Sequence, residues 1–195
     1  MKIIFATNNK NKVEEIKHLS HKNFQILTLQ EAGIDIDIPE PHDTLEANAT
    51  EKSSTIYTIT NEAVFSEDTG LEVDALGGAP GVKSARYAGE GKNMQDNIDK
   101  LLQELKDKPT RTAQFRTVVS LIIGGKEYQF EGICKGHITN EMDGTNGFGY
   151  DPVFIPEGSN TTFANMDIAE KNKFSHRKKA VQQLINFLNE YQASI

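Results

Sequence analysis

Short apolar runs alternate along this chain with stretches in which apolar residues recur every three or four positions. The pattern predicts a first strand over 2–6, followed by a helix over 11–19 with apolar positions at Val13, Ile16 and Leu19. The same two periodicities predict further strands over 24–29, 112–123 and 126–137, and further helices over 44–57, 93–106 and 175–191. This order of elements favours an α/β protein.

Cap and turn residues support several of these boundaries. Asp43 or Thr44 is the expected N-cap of the second helix, and Pro109 follows the end of the third. Gly124-Gly125 separates the two long strands and is typical of a tight hairpin. The sheet is therefore expected to contain an antiparallel component.

Composition and charge narrow the classes of function. The 195 residues are 37% hydrophobic and 25% charged, as in ordinary globular proteins, and the formal net charge is -7. That charge disfavours sequence-independent nucleic-acid binding, which needs a positive surface. The single cysteine, Cys134, excludes an internal disulfide and a thiolate zinc cluster, and it fits a reducing compartment. No run approaches the roughly 20 apolar residues of a membrane span, so we expect a cytoplasmic protein without a membrane partner.

Two adjacent carboxylates follow a short apolar run. The run 63–65 predicts a buried strand, and we expect the acids of Ser66-Glu67-Asp68-Thr69-Gly70 to emerge at its end, where α/β proteins place ligands. Neighbouring side chains of an extended chain point to opposite faces, so Glu67 and Asp68 can share a ligand only where the strand bends or has ended. Such a pair is typical of Mg²⁺ binding and water activation. The alternative is a solvated acidic turn.

Two other segments are candidates for phosphate binding. Thr7 to Lys12 joins a strand to the start of a helix, where backbone N–H groups and the helix dipole favour an anion. The alternative is a capped turn with surface lysines. Asn48 and Lys52 are four residues apart and share one helix face, which suits either a phosphate contact or plain solvated surface. The chain lacks a Walker A sequence.

The last third of the chain carries a candidate platform for a purine ring. Phe148 lies between two glycines and could stack on a ring, while Asp151 could accept hydrogen bonds from ring N–H groups. Core packing of Phe148 and Tyr150 is the alternative. Ser175 is a plausible N-cap of the last helix, and the basic residues from His176 onward oppose its dipole. They could grip an anion or a carbonyl oxygen, or form a solvated basic turn.

Taken together, these segments predict a nucleotide-binding site. Their sequences resemble those of one protein family over nearly the whole chain. The segments that carry the resemblance are Thr7-x-Asn9-x-x-Lys12, Asn48-Ala49-x-x-Lys52, Glu67-Asp68-Thr69-Gly70, the glycine-rich run 76–87, Gly147-Phe148-Gly149-Tyr150-Asp151-Pro152 and Ser175-His176-Arg177. In order and spacing they look like the inosine triphosphate pyrophosphatase family, also called XTP/dITP diphosphatases.

The resemblance implies Mg²⁺-dependent hydrolysis of ITP, dITP and XTP to the monophosphate and pyrophosphate by a cytoplasmic homodimer. It also implies one domain over 1–195, with an elongated mixed sheet flanked by helices and two lobes with a cleft between them. Asp68 matches the general-base and metal position, and Glu40 and Glu67 match metal-binding acids. Substrate contacts are implied for Thr7, Asn8, Asn9, Lys10, Asn11, Lys12, Lys52, Thr69, Phe148, Gly149, Tyr150, Asp151, Lys171, His176 and Arg177.

The chain departs from the family pattern at a few positions. Glu67 and Thr69 stand where bacterial members usually have Asp and Ser, Asn11 replaces a common glycine, and Ala47 replaces a frequent acid. The longer Glu67 puts the metal geometry in question. A purine-nucleotide-binding regulator without catalysis would use the same pocket without needing the acids, and it is kept as the alternative function.

Overall fold

The computed structural model describes residues 1–17 and 24–193, so the predicted helical position Leu19 lies outside the described residues. The strands are β1 (Lys2–Phe5), β2 (Gln25–Thr28), β3 (Val64–Val73), β4 (Pro80–Gly81), β5 (Thr112–Ile123), β6 (Lys126–Ile138) and β7 (Phe154–Pro156). The helices are α1 (Lys10–Lys17), α2 (Leu45–Thr60), α3 (Met94–Glu104), α4 (Ile168–Phe174) and α5 (His176–Ala193).

The strands of the described chain form one mixed sheet in the order β2-β1-β3-β5-β6-β7, with β4 paired to β3. β1 runs parallel to β2 and β3, whereas β4 and β7 pair antiparallel with β3 and β6. The predicted α/β class with a mixed sheet is therefore confirmed.

Most predicted elements are present close to their predicted bounds. Thr44 is the N-cap of α2 and accepts a hydrogen bond from the Ala47 N–H at 3.2 Å. Gly124 and Gly125 form the turn between β5 and β6 with φ of 57° and 75°. β4, β7 and α4 were not predicted, because their sequences show neither a run of apolar residues nor a helical period. Among the described residues, no helix is long and apolar enough to cross a membrane.

Ser175 directly precedes α5, the position predicted for the N-cap of the last helix, and it also ends α4. It follows Phe174 as the C-cap of α4, and its N–H donates to the Lys171 carbonyl at 3.0 Å. Its place between two consecutive helices was hidden by the missing prediction of α4.

The chain divides into two compact units. The first comprises Met1–Asp68, Thr117–Gly132 and Arg177–Ile195. In this unit, alternate residues of β1 enter different cores: Ile3 and Phe5 pack with the apolar face of α5, whereas Ile4 and Ala6 pack with Ile56 of α2. The sheet of this unit therefore has a covered face on either side.

The second unit comprises Thr69–Arg116 and Ile133–His176. Its core joins Leu71 and Val73 of β3 to Ile98 and Leu101 of α3. A group of rings in mutual contact completes it, comprising Phe115, Phe154, Phe163 and His176.

β3 corrects the expectation that the acids emerge at the end of a strand. The strand continues through Glu67 and Asp68 to Val73, and Gly70 lies within it. Instead of bending the chain, Gly70 allows a close backbone approach, because a Cβ at this position would lie 2.6 Å from the Gly81 carbonyl oxygen of β4.

We predict that Gly70→Ala destabilises the protein, because the added methyl group collides with backbone that cannot rotate away. Overpacking of this kind costs about 1–3 kcal/mol in the free energy of unfolding. Denaturant unfolding followed by circular dichroism measures the change. Gly91→Ala is the matched control, since a Cβ at Gly91 meets nothing within 4 Å. Equal stability of the two variants would contradict the prediction.

Candidate active site

Asp68 lies in the first unit beside a buried lysine that it shares with a second carboxylate. The Lys52 Nζ is 3.2 Å from the Asp68 Oδ1 and 2.5 Å from the Glu40 Oε1. Lys52 and Asp68 are both buried, while Glu40 is partly exposed. A single ammonium group thus holds two carboxylates around one point.

α2 and the preceding connector position these groups. Asn48 is fully buried one turn before Lys52, and its Nδ2 donates to the Asp68 Oδ2 at 3.4 Å. The Asn48 side chain also pairs with the backbone of His42, accepting from its N–H at 2.9 Å and donating to its carbonyl at 3.2 Å. This pairing fixes the connector that carries Glu40. The solvated-surface interpretation of Asn48 and Lys52 is therefore wrong.

The carboxylates of Glu40 and Asp68 suit a magnesium ion. Mg²⁺ is usually bound by one or two carboxylates together with water and substrate phosphates, rather than by a full set of protein ligands. Within residues 1–17 and 24–193, no group of three or more His, Cys, Asp and Glu side chains is arranged to hold a metal. The carboxylate oxygens of Glu40 and Asp68 therefore fit a Mg²⁺ ion whose remaining ligands are water and the phosphates of a bound nucleotide.

Burial dominates the electrostatics of this group. It raises the pKa of the Asp68 carboxyl above its usual range, although the ammonium groups of Lys52 and Lys12 oppose the rise. Burial alone would lower the pKa of Lys52, but the neighbouring Asp68 and Glu40 carboxylates outweigh it and raise that pKa. Lys52 is therefore firmly protonated.

Glu67 faces away from Asp68, as alternation along an extended strand requires. Its Oε1 accepts from the Lys12 Nζ at 3.0 Å and the Arg177 Nε at 3.3 Å. Arg177 also pairs through a terminal nitrogen with Glu15 of α1. Glu67 and Arg177 are both buried, so the predicted alternatives of a solvated acidic turn and a solvated basic turn are wrong.

The Thr7–Lys12 turn is capped by its own side chains. The Asn9 Oδ1 accepts from the backbone N–H groups of Asn11 and Lys12 at 3.0 and 3.2 Å, and the Thr7 Oγ1 accepts from that of Asn9 at 3.2 Å. Asn8 and Lys10 are exposed, and Asn11 has ordinary helical backbone, so its replacement of a glycine is without strain. The alternative of a capped turn is correct for the backbone, while Lys12 still reaches the buried carboxylate.

In the second unit, Asp151 organises the Phe148 loop. Its Oδ2 accepts from the Phe148 N–H at 2.9 Å and from the Lys171 Nζ at 2.7 Å. The Lys171 ammonium also lies 5.2 Å from the centre of the Phe148 ring and 5.3 Å from that of Phe163. Gly147 has φ of +78°, and a Cβ there would collide with the Asp151 carboxylate.

The other aromatic residues of this segment belong to the core. Tyr150 is 3% exposed, and its hydroxyl donates to the Ser84 carbonyl at 2.8 Å. The His176 ring stacks on Phe115 with centroids 4.7 Å apart and is also buried. Phe148 remains partly exposed, so the core-packing interpretation holds for Tyr150 and not for Phe148.

The predicted residues thus form three groups. The first is Glu40, Lys52 and Asp68, the second is Lys12, Glu67 and Arg177, and the third is Phe148, Asp151 and Lys171. Thr69 lies in β3 and Gly149 in the Phe148 loop, both partly buried. Sequence reasoning missed Glu15, although its position three residues after Lys12 on one helix was a usable signal.

Comparison with known proteins places the chain in a family. A family model described as the Ham1 family matches residues 3–187. A dITP/XTP pyrophosphatase from Flavobacterium johnsoniae is 51% identical over 188 residues, which cover 96% of this chain and 98% of the relative. One from Porphyromonas gingivalis is 50% identical over 188 residues, with 96% and 97% covered. This chain belongs to the Ham1 family, and the resemblance predicted from its motifs is confirmed.

Solved structures agree with this assignment. The Staphylococcus aureus Ham1 protein superposes with a TM-score of 0.89 at 37% identity, covering 98% of this chain and all (100%) of that one. A HAM1 protein from Coxiella burnetii gives a TM-score of 0.89 at 34% identity, covering 97% and 99%. The fold is therefore that of Ham1 proteins over nearly the whole chain.

We predict that Arg177→Met strongly destabilises the protein, because it leaves the buried Glu67 carboxylate without its guanidinium partner. Breaking a buried ion pair from one side costs about 3–5 kcal/mol in the free energy of unfolding. Denaturant unfolding measures the loss. Lys17→Met is the control, because the Lys17–Glu31 pair is exposed and solvent screens it. A loss no larger than that of the control would show that the buried network contributes little to stability.

Proposed function

We propose that this protein hydrolyses the deaminated purine nucleoside triphosphates ITP, dITP and XTP to the nucleoside monophosphate and pyrophosphate, with Mg²⁺ as cofactor. Its full-length relatives are named dITP/XTP pyrophosphatases. The observation that carries the proposal is the buried Lys52 ammonium between the carboxylates of Glu40 and Asp68. Two carboxylates and a cation at one point are the groups that phosphoryl transfer requires.

In the proposed reaction, water attacks the α-phosphorus and loses a proton to solvent, the bond between that phosphorus and the oxygen bridging to the β-phosphorus breaks, and pyrophosphate leaves with that oxygen. Asp68 would orient the water, Glu40 and Asp68 are the residues that would hold Mg²⁺, and Lys52 and Lys12 would balance the charge of the phosphate oxygens. The bound ion supplies charge neutralisation at those oxygens. Most of the rate enhancement comes from positioning and electrostatics.

The Phe148 loop is proposed to recognise the base. Phe148 offers a partly exposed ring for stacking, and the Asp151 carboxylate, which pairs with Lys171, is the proposed acceptor for the base N1–H. Hypoxanthine and xanthine carry that N1–H, whereas adenine presents an acceptor there. A site built to hydrogen-bond a substrate N–H can reject an analogue that lacks it by roughly 10⁴-fold.

We also propose a setting for the enzyme. Residues 1–195 act as one functional domain, which the match of the family model over 3–187 supports. The single cysteine fits the reducing cytoplasm, where nucleotide pools are maintained. The enzyme is proposed to be a homodimer by analogy with its family, and sedimentation equilibrium of the pure protein tests this.

The proposal predicts monophosphate and pyrophosphate as products. Pure protein is incubated with Mg²⁺ and ITP, XTP, GTP or ATP, and the products are resolved by ion-exchange chromatography. Turnover should be much faster with ITP and XTP, and excess chelator should abolish it. Diphosphate and phosphate would show cleavage of a different bond, and nucleotide binding without turnover would favour the non-catalytic regulator.

Asp68→Asn should lower kcat far more than it changes the affinity for substrate, because the carboxylate acts on the water and the metal. We expect kcat to fall by roughly 10²-fold or more, the scale of a lost catalytic carboxylate. Steady-state kinetics with ITP measure both parameters, and melting curves confirm folding. Glu51→Gln is the control. Glu51 lies on α2 next to Lys52, but its side chain pairs with His42 and has no part in the proposed catalysis. An unchanged kcat for Asp68→Asn would remove Asp68 from the mechanism.

A further inference from the structure

Glu15 belongs to a chain of four charged side chains in the first unit that ends at Lys12. Glu15 pairs with a terminal nitrogen of Arg177, the Arg177 Nε lies 3.3 Å from the Glu67 Oε1, and that oxygen lies 3.0 Å from the Lys12 Nζ. α1 carries both ends of this chain, while α5 and β3 carry its interior. We call these residues, Glu15, Arg177, Glu67 and Lys12, the charge chain.

The interior of the charge chain is buried and its ends reach toward solvent. The side chains of Arg177 and Glu67 are 2% and 0% exposed, while those of Glu15 and Lys12 are each 14% exposed. Two anions and two cations cancel, so the chain carries no net charge. A buried arrangement of this kind is stable only while every member keeps a partner.

The two cations of the charge chain share one oxygen. Because the Glu67 Oε1 accepts from both Lys12 and Arg177, the position of that carboxylate fixes where the Lys12 ammonium lies. Glu15 occupies a different edge of the Arg177 guanidinium. Without the Glu15 charge, the Arg177 guanidinium loses a carboxylate partner, and a closer, bidentate pairing with Glu67 would displace the ammonium group.

We propose that Glu15 is a positioning residue that acts through Arg177 and Glu67 to hold the Lys12 ammonium ready for substrate phosphate. This inference rests on the proposed function, because it takes Lys12 to be a phosphate contact. A lysine side chain has four rotatable bonds, so holding it in place before binding reduces the entropy lost on binding. Glu67 thereby holds the Lys12 ammonium in place, whereas Asp68, on the opposite face of β3, is proposed to bind the metal.

A double-mutant cycle tests the inference, using Glu15→Gln, Lys12→Ala and the combined variant. Binding is measured by calorimetric titration with inorganic tripolyphosphate in metal-free buffer, and KM and kcat are measured with ITP and Mg²⁺. Glu15→Gln should weaken tripolyphosphate binding and raise KM by roughly tenfold, about the worth of one charge-assisted hydrogen bond, with kcat changed less than about twofold. In the Lys12→Ala background, Glu15→Gln should change the tripolyphosphate affinity and KM by no more than about twofold each.

Glu14→Gln is the matched control, because Glu14 is the adjacent acid on α1 and is exposed. It should leave both measurements unchanged. Glutamine keeps an acceptor for Arg177, so the Glu15 variant should fold. If melting curves show that it does not, Glu15→Asp replaces it in the cycle, since the shorter carboxylate cannot hold Arg177 in the same place.

Two outcomes would overturn the inference. One is an equal effect of Glu15→Gln with and without Lys12, and the other is a parent protein that does not bind tripolyphosphate. If the parent hydrolyses no triphosphate but the calorimetric cycle shows coupling, the proposed function fails and the positioning role of Glu15 stands.

Discussion

Each ionised side chain that β3 buries in the first unit must find an opposite charge on its own face of the strand. Adjacent residues of an extended strand point to opposite faces, so Glu67 and Asp68 make their ion pairs with different side chains. Leaving either of them buried and unpaired would cost several kcal/mol. The surrounding helices therefore supply a cation on each face, with Lys52 of α2 on one and Arg177 of α5 on the other.

The second unit applies the same principle to a loop. Asp151 is buried, and Lys171 of α4 neutralises it while the Phe148 N–H caps the same oxygen. The ion pair fixes a glycine-rich backbone that has little intrinsic preference, and it leaves the Phe148 ring partly exposed. The short helix α4, which the sequence patterns do not predict, thus supports the Phe148 loop through Lys171.

The sequence predicted the long elements because their hydrophobic periods are strong and their caps explicit, as at Thr44. It also singled out Lys52, Asp68 and Asp151, which the structure places in buried ion pairs, because charged residues in a family-like motif are visible without a structure. It could not predict that β3 continues through the acids, since a strand of buried charges has no apolar period. Glu15 was missed for a related reason: its importance depends on Arg177, which is 162 positions away.

The ion pairs of Lys52 with Glu40 and Asp68 have a consequence for how the protein folds. The two carboxylates have a counter-ion of their own from the moment the chain folds, so their arrangement requires no ion from solution. Folding of the protein is therefore expected to be independent of divalent cations. Under the proposed function, the supply of Mg²⁺ would change the activity of the folded protein and leave its stability unchanged.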